Sequence, residues 1–402
     1  MRVNLIGLGG GPEENWTTEA RRALEQAELV LGAERLLKSL PAVEGQIRVA
    51  AVRPADIAAR LRETDAEFSC VVFSGDTGFY SGADGLIPLL KEAGIAYRVL
   101  PGLSSVQLLA ARLGEKWQGW TLCSAHGTDC DPIAALMTGK PAFFLTGGRQ
   151  TPASLCREIR DAGLGALRAA VGENLGCPDE RVVTRTAAEC AEAEFAPLSV
   201  LLVEAAPRLC ERTGGLPDGA FCRGEVPMTK QELRAAILAK LAVRPTDTVW
   251  DVGAGTGSVS VELALAARRG RAYAVEYRDE ACALIAENRR RFGAWNLRLV
   301  RGTAPEALAE LPAPDAVFIG GSEGRLVEIV QVALSKNPNA RLCVSAIALE
   351  TLSAALDVFA ALGLEAEVTQ IAVSRAKPGG RLHLLLANNP VFLVTVCREA
   401  GA

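Results

Sequence analysis

The chain contains few of the residues on which metal sites and extracellular stability depend. It has two histidines, His126 and His383, in 402 residues, and its eleven cysteines form no C-x-x-C pair. We therefore expect no metal site and no disulfide framework, and a reducing, cytoplasmic environment. No run of eighteen apolar residues occurs and the N-terminal residues show no signal-peptide cleavage pattern, so we expect no membrane partner.

Aromatic residues and net positive charge are also scarce. Phe, Trp and Tyr make up 5 % of the chain, and its formal net charge is −4. Proteins that bind RNA usually carry a basic surface and stack bases on aromatic rings. We therefore expect no nucleic-acid partner. An RNA methyltransferase stays open as an alternative because of a group of arginines in the second half, namely Arg268, Arg269, Arg271 and Arg289 to Arg291.

Glycine, in contrast, is abundant. The chain has 39 glycines and is 49 % hydrophobic, a composition typical of α/β proteins. Its length predicts two or three domains. Residues 205–227 are rich in proline and glycine and lack a periodic apolar pattern, which is typical of a domain boundary. We predict two α/β domains, at residues 1–205 and 206–402.

The most informative stretch is VWDVGAGTGSVSVELA at residues 249–264. It predicts a strand, a glycine loop and a helix that together bind a nucleoside-bearing cofactor, and Glu276 ends the next apolar run. Ser258 stands where the G-x-G-x-x-G loop of a dinucleotide site has its last glycine. The pattern therefore favours S-adenosylmethionine, which has no pyrophosphate, and we expect Glu276 to bind its ribose hydroxyls.

The second half alternates between strand and helix patterns, which predicts a largely parallel, doubly wound sheet. We predict that one helix begins at Thr229 with a capping box to Glu232, and that another begins at Ala304. The final pair of strands, at residues 365–374 and 381–389, is predicted to form an antiparallel hairpin joined by the loop RAKPGG.

In the first half, three predicted strands each end in a loop of glycine, aspartate and small hydroxyl residues. Such loops suit backbone and hydroxyl contacts to a ligand, but each is also compatible with an ordinary turn and helix cap. The candidate ligand-binding residues in these loops are Gly9, Asp76, Thr77, Gly78, Ser104 and Ser105.

The first half resembles the tetrapyrrole (corrin/porphyrin) methylase family. The matching stretches include NLIGLGGGPEENW, FSGDTGFYS, VLPGLSSVQLLAARLG and GENLGCPDERV. The resemblance implies an S-adenosylmethionine site at the loop residues above and methylation of carbon 5 of a precorrin. His126, which follows a predicted strand in the stretch SAHG, is a further candidate for a substrate-binding residue. Gly10 and Thr77 stand where the family usually has proline.

The second half resembles the decarboxylating precorrin methyltransferases of cobalamin synthesis, in the stretches PMTKQELRA, DVGAGTGSVSVELA, RGTAPEAL and FIGGSEGRLVEI. Such enzymes methylate carbon 15 and decarboxylate the acetate on carbon 12. Together the halves imply conversion of a precorrin-6B type macrocycle to precorrin-8X with two molecules of S-adenosylmethionine, and self-association. The resemblance places the second cofactor against Thr229, Gly253, Ala254, Gly255, Thr256, Gly257, Glu276 and Ala304.

The macrocycle carries several carboxylate arms, for which arginine and lysine are suitable partners. We predict Arg375, Lys377 and Arg381 as carboxylate-binding residues, although an exposed hairpin turn explains them equally well. Gly321 is predicted to line the macrocycle pocket. The candidates for a catalytic role are His383, Lys230 and Ser322. A scaffold that binds S-adenosylmethionine without turnover is a further alternative.

Overall fold

In the computed structural model, which describes residues 2–127 and 129–397, the chain forms two units. The first consists of Met1–Cys130, Lys140–Arg160 and Gly165–Glu204, and the second of Asp131–Gly139, Asp161–Leu164 and Ala205–Ala402. Within the described residues, no helix is both long and apolar enough to cross a membrane.

The first unit contains a five-stranded parallel sheet with the strand order β3-β2-β4-β1-β5. The central strands are nearly continuous apolar runs because helices cover both faces of such a sheet. The strands are β1 (Arg2–Gly7), β2 (Leu29–Gly32), β3 (Ile47–Ala50), β4 (Phe68–Phe73) and β5 (Ala96–Leu100). The helices are α1 (Thr18–Gln26), α2 (Glu34–Ser39), α3 (Pro54–Glu63), α4 (Ala83–Glu92) and α5 (Ser105–Leu113).

A second, mixed sheet completes the first unit, with the order β6-β7-β10-β8-β9. Only β6 and β7 pair in parallel, and the other pairs are antiparallel. Its strands are β6 (Thr121–Ser124), β7 (Ala142–Leu145), β8 (Arg168–Glu173), β9 (Arg181–Thr186) and β10 (Ser199–Val203). The helices between them are α6 (Pro132–Leu136), α7 (Pro152–Ile159) and α8 (Ala187–Ala191), of which α6 belongs to the second unit.

The second unit is built on a seven-stranded sheet with the order β13-β12-β11-β14-β15-β19-β16. The strands are β11 (Thr248–Val252), β12 (Arg271–Glu276), β13 (Leu297–Arg301), β14 (Ala316–Ile319), β15 (Arg341–Ala346), β16 (Glu367–Ile371) and β19 (Val391–Val396). The helices are α9 (Gln231–Leu241), α10 (Ser258–Ala266), α11 (Asp279–Phe292), α12 (Leu326–Lys336) and α13 (Leu349–Ala361). The predicted fold class, α/β with a doubly wound second half, is confirmed.

The order of these strands decides where a ligand binds. β11 pairs in parallel with β12 on one side and with β14 on the other, so the direction of winding reverses next to β11. In doubly wound sheets, ligands bind at this reversal, beyond the carboxyl ends of the strands. The loop that begins with Gly253 follows β11 directly and leads into α10.

The prediction for the final strands was partly wrong. An antiparallel hairpin does form, but its strands are β17 (Ser374–Gly379) and β18 (Leu382–Ala387), so RAKPGG is mostly strand and not loop. The hairpin is a separate two-stranded sheet, and β16 pairs with β19 instead. The apolar run of β18 gives the pattern of a buried strand, whereas its residues are exposed.

Two predicted helix starts were also wrong. Helix α9 begins at Gln231 with Lys230 at its N-cap, and no side-chain cap bond forms there in the part of the chain that the structure describes. Glu232 instead forms an ion pair with Arg375, which removes it from the predicted capping box. After Ala304 the chain forms only one turn of 3-10 helix, at Glu306–Leu308.

Candidate active sites

A cavity of about 530 Å³ lies at the carboxyl ends of β11, β12 and β14 in the second unit. This volume is within the usual range for small-molecule sites. The structure brings most of the residues predicted for the second half together in its wall. They are Thr229, Lys230, Gly253, Ala254, Gly255, Thr256, Glu276, Ala304, Gly321 and Ser322.

Glu276, at the end of β12, is only 3 % exposed. Its carboxylate accepts hydrogen bonds from the backbone N–H of Gly255 at 2.8 Å and from those of Tyr277 and Arg278 at 3.0 Å. Burial alone opposes ionisation, but these bonds and the Arg278 guanidinium outweigh it, and the pKa of Glu276 is lowered. Glu276 is therefore an ionised acceptor at neutral pH, which suits hydroxyl groups of a ribose.

The glycines of the loop allow two backbone segments to approach each other. Gly253 has φ +74°, and a Cβ built on it would lie 2.8 Å from the backbone N and O of Gly321. Gly257, which is not part of the described cavity wall, serves packing instead, because a Cβ there would lie 2.8 Å from Ile285. An open backbone loop beside a buried carboxylate fits the methionine part and the ribose of S-adenosylmethionine.

Two polar groups of this cavity stand out: Thr256 was predicted from the sequence as a cofactor contact, whereas Asp251 was not singled out. The Oδ1 atom of Asp251 and the Oγ1 atom of Thr256 are buried and have no hydrogen-bond partner among the described residues. The other carboxylate oxygen of Asp251 accepts a hydrogen bond from Ser260. An acidic residue at the end of a buried strand, directly before a glycine loop, was the available signal.

The four candidates from residues 375–383 lie outside this cavity. Arg375 is an ion-pair partner of Asp218 and Glu232, at 3.0 and 2.6 Å, so its guanidinium already contacts two carboxylates of this chain. Lys377, Arg381 and His383 lie on the exposed hairpin, and the described cavity wall contains no residue between 374 and 387.

A buried arginine near the same cavity was also missed. Arg234 is fully buried, and its guanidinium donates to Glu262 at 2.8 Å, to Asp218 at 2.9 Å and to the carbonyl oxygen of Thr229 at 2.5 Å. It also lies over the ring of Phe221. Because Thr229 is part of the cavity wall, Arg234 fixes the backbone of a candidate cofactor-binding residue.

The first unit has its own cavity of about 430 Å³, between its parallel and mixed sheets. Its wall contains five of the predicted residues, namely Gly9, Asp76, Ser104, Ser105 and His126. Thr77 and Gly78 are not part of the described wall. Arg35 and Tyr80, which the sequence did not single out, line it as well.

Most polar groups of these loops form hydrogen bonds within the loops or to a neighbouring loop. Asp76 accepts hydrogen bonds from the backbone N–H of Gly78 at 2.8 Å and of Gly102 at 3.1 Å. Ser104 caps α5 in a capping box with Gln107, as the alternative interpretation of these loops expected. The Thr77 hydroxyl is buried and donates to the carbonyl oxygen of Leu100. The loops are thus held rigidly around the cavity.

The structure explains why Gly10 is a glycine. A Cβ built on it would lie 2.5 Å from the carbonyl oxygen of Leu175 and 3.0 Å from the Cα of Gly176. The thiol of Cys177 also donates to the carbonyl oxygen of Gly10 at 3.1 Å. The backbone at residues 175–177 therefore occupies the space that a proline ring would need.

A doubly wound sheet with a glycine loop at its reversal point, followed by a buried carboxylate at the end of the next strand, defines the class of Rossmann-like S-adenosylmethionine-dependent methyltransferases. Comparisons with known proteins agree. Residues 220–398 match the precorrin methyltransferase domain family, and residues 2–191 match the tetrapyrrole (corrin/porphyrin) methylases.

Relatives with both domains identify the chain further. It is 33 % identical over 388 residues to a precorrin-6Y C(5,15)-methyltransferase [decarboxylating] of a Sinorhizobium species, covering 94 % of this chain and 92 % of the relative. The chain therefore belongs to the precorrin-6Y C(5,15)-methyltransferase (decarboxylating) family. Its second half alone is 46 % identical to a probable cobalt-precorrin-6B C(15)-methyltransferase (decarboxylating) of Pyrobaculum calidifontis, covering 46 % of this chain and 95 % of that one.

Among solved structures, the crystal structure of precorrin-6y C5,15-methyltransferase from Geobacter metallireducens is 34 % identical to this chain. The match covers 46 % of this chain and 98 % of that one, with a TM-score of 0.45.

Proposed function

We propose that the chain methylates carbons 5 and 15 of a precorrin-6B type macrocycle with two molecules of S-adenosylmethionine and releases the carbon 12 acetate carboxyl as CO₂, giving precorrin-8X. Residues 1–205 methylate carbon 5, and residues 206–402 methylate carbon 15 and carry out the decarboxylation. The observation that carries the proposal is the presence of two cavities, each within its own unit, at the carboxyl ends of parallel strands.

In the second unit, the wall of the cavity divides into two parts with different tasks. Glu276 and the loop from Gly253 to Thr256 hold the cofactor, and Lys230, Gly321 and Ser322 face the macrocycle. S-adenosylmethionine supplies an activated methyl group when bound, so the chain needs no nucleophile of its own. Its task is to align the reacting atoms, and alignment alone can lower a barrier by roughly 7–11 kcal/mol.

Decarboxylation is favoured if no cation of the cavity wall binds the departing carboxylate. When the carbon 12 acetate loses CO₂, the bonding electron pair passes into the conjugated ring, which makes carbon 15 nucleophilic. A cation on the departing carboxylate would oppose this loss. Among the described wall residues, the cations are Lys230 and Arg278, and Arg278 already contacts Glu276 at 3.3 Å. Lys230 therefore binds one of the other carboxylate arms.

In the first unit, Gly9, Asp76, Ser104 and Ser105 hold the second molecule of cofactor, and His126 and Arg35 are near the macrocycle. The wall of this cavity also contains apolar side chains, including Ile57, Val72 and Leu108. An apolar wall with a cation suits an apolar ring with carboxylate arms, because the ring is buried while each charge finds a partner.

An assay of product mass and CO₂ with precorrin-6B and S-adenosylmethionine tests both assignments at once. The wild-type chain should add two methyl groups and release one CO₂. We expect Glu276→Ala to weaken cofactor binding in the second unit at least about 100-fold, because two charge-assisted hydrogen bonds are lost. This variant should add one methyl group instead of two.

Glu287→Ala, which removes an exposed carboxylate of α11, serves as the control and should behave as wild type. Several outcomes would contradict the proposal. Cofactor binding without any turnover, with metal-free and cobalt-containing substrate, would support a non-catalytic scaffold. Tight RNA binding that weakens steeply with added salt would instead support an RNA methyltransferase.

We further propose that the chain self-associates through the hairpin of β17 and β18. An isolated two-stranded hairpin is marginally stable in water, and this one exposes leucines on both faces. Leu384, which is 57 % exposed, pairs with Lys377, whereas Leu385, which is 74 % exposed, pairs with Ala376 on the opposite face. A second copy of the hairpin would cover these side chains.

The double substitution Leu384→Ser with Leu385→Ser should therefore convert the wild-type oligomer to a smaller species. Because both side chains are exposed in the single chain, the thermal unfolding of the domain itself should change little. Size-exclusion chromatography with light scattering measures the mass. A wild-type chain that is already monomeric at micromolar concentration would refute the proposal.

A further inference from the structure

His126 and Arg35 are the side chains with N–H groups in the described wall of the first cavity. A macrocycle with carboxylate arms therefore finds two nitrogen donors there. The backbone N–H of His126 donates to the Ser124 hydroxyl at 3.4 Å, but its imidazole forms no hydrogen bond within the described chain. Both ring nitrogens are thus available to a ligand, and packing has to hold the ring in place.

The imidazole packs against Gly147, in the turn that follows β7. A Cβ built on Gly147 would lie 1.9 Å from Nδ1 of His126 and 2.8 Å from Cε1 of the same ring. The φ of Gly147 does not lie in the left-handed region, so the turn itself does not require glycine at this position. Glycine is needed there because the ring of His126 occupies the space of a side chain.

The same turn also holds the chain that follows His126. The side-chain amide of Gln150 donates to the carbonyl oxygen of Cys130 at 2.8 Å, and its oxygen accepts from the N–H of Cys130, also at 2.8 Å. Gly147 and Gln150 are joined by two backbone hydrogen bonds, at 3.1 and 3.3 Å. One closed turn thus contacts both the ring of His126 and the backbone four residues later.

We propose that Gly147 and Gln150 are positioning residues for the methylation of carbon 5. They hold the imidazole of His126 where one ring N–H donates to a carboxylate arm of the macrocycle. With Arg35 on another arm, the macrocycle is bound at two points, which determines the ring carbon that faces the methyl group. The inference rests on the proposed function of the first unit.

The position of the two residues makes this inference testable. Neither Gly147 nor Gln150 is part of the described cavity wall, so any effect on the macrocycle has to pass through His126. In Gly147→Ala, the ring of His126 is the group that has to move, because the nearest atoms to the new Cβ belong to it. The backbone of the turn can stay as it is.

A double-mutant cycle on the full chain tests the coupling, with precorrin-6B and saturating S-adenosylmethionine. Gly147→Ala and His126→Ala should each raise the KM for the macrocycle in carbon 5 methylation about tenfold, because a hydrogen bond to a carboxylate is lost. Gln150→Ala should raise it about threefold. When His126 is already alanine, neither Gly147→Ala nor Gln150→Ala should change this KM more than about twofold.

Gly148→Ala is the matched control. Gly148 is the next residue of the same turn, with φ +61°, and a Cβ there meets nothing within 4 Å. The substitution strains the turn without touching the ring, so the KM for the macrocycle should remain that of the wild type. The KM for S-adenosylmethionine and the release of CO₂ should be unchanged in all these variants.

Nuclear magnetic resonance gives a second measurement that does not depend on turnover. The chain has two histidines, His126 and His383, so isotope-labelled histidine gives two sets of imidazole signals, which His126→Ala assigns. Gly147→Ala should shift the signals of His126 and leave those of His383 unchanged. Adding precorrin-6B to the wild-type chain should also shift the signals of His126.

Two results would overturn the inference while the proposed function stands. One is a wild-type KM for the macrocycle in His126→Ala. The other is an effect of Gly147→Ala that is equally large when His126 is already alanine, since the substitution would then act by a different route. A wild-type chain that never methylates carbon 5 would instead refute the proposed function of the first unit, and the inference with it.

Discussion

Replacing Gly253 with alanine abolishes CO₂ release and one of the two methyl transfers, while the other methyl transfer continues. This result is expected because the new Cβ would lie 2.8 Å from the backbone of Gly321 and because φ is +74° at this position. The positive φ alone costs roughly 1–2 kcal/mol for alanine. A shift of about 1 Å in either loop is enough to reduce turnover roughly 100-fold. Product mass and CO₂ measure both reactions in one sample.

Gly324→Ala is the matched control for this substitution. Gly324 also has a positive φ, +83°, but a Cβ there meets nothing within 4 Å. It therefore carries the same kind of backbone strain without displacing a neighbour, and both reactions should persist. If Gly253→Ala released CO₂ at the wild-type rate, the contact between the two loops would not be needed for the second site.

Replacing Gly10 with proline, the residue that related methylases usually have there, should remove the carbon 5 methylation instead of improving it. The Cβ of any residue at position 10 would lie 2.5 Å from the carbonyl oxygen of Leu175. The loop would have to leave the cavity wall, to which Gly10 itself belongs. We expect the singly methylated product to accumulate. The doubly methylated product should form at least about 100-fold more slowly.

Gly10→Ala introduces the same Cβ without fixing φ and should have the same qualitative effect. Gly119→Ala, at a position where a Cβ meets nothing within 4 Å, should leave both methylations intact. CO₂ release should be normal in all three variants because the second cavity is unchanged. Full carbon 5 methylation by Gly10→Pro would show that residues 175–177 can move aside.

The parts of the site that the sequence predicts well are those set by local pattern. Gly255 donates a hydrogen bond to the carboxylate of Glu276, which is only 21 residues away in the sequence. The strand–loop–helix unit between them determines where the two residues lie. Gly253 and Gly321 follow adjacent strands, so the order of the sheet brings them together. For these residues, strand order and loop position follow from apolar periodicity and turn chemistry.

The sequence gives much less information where a role depends on distant partners. Arg375 has the chemistry of a carboxylate clamp, but its partner Glu232 is 143 residues away, and only the folded chain shows the pair. Asp251 lies inside the best-predicted motif, yet its unpaired oxygen follows from the arrangement of its neighbours. The leucines of β18 have the composition of a buried strand, whereas the strand that enters the sheet is β19.

The pairing of β16 with β19 has a consequence for how this region can change. Ile371 and Val391 are direct register partners, so the chain leaves the sheet and returns to it at neighbouring positions. Their Cα atoms are about 5 Å apart, a gap that a tight turn of two to five residues closes. The hairpin of β17 and β18 is thus an insertion in the connection between β16 and β19, which a tight turn could make without it. Its length can therefore change without altering the register between β16 and β19.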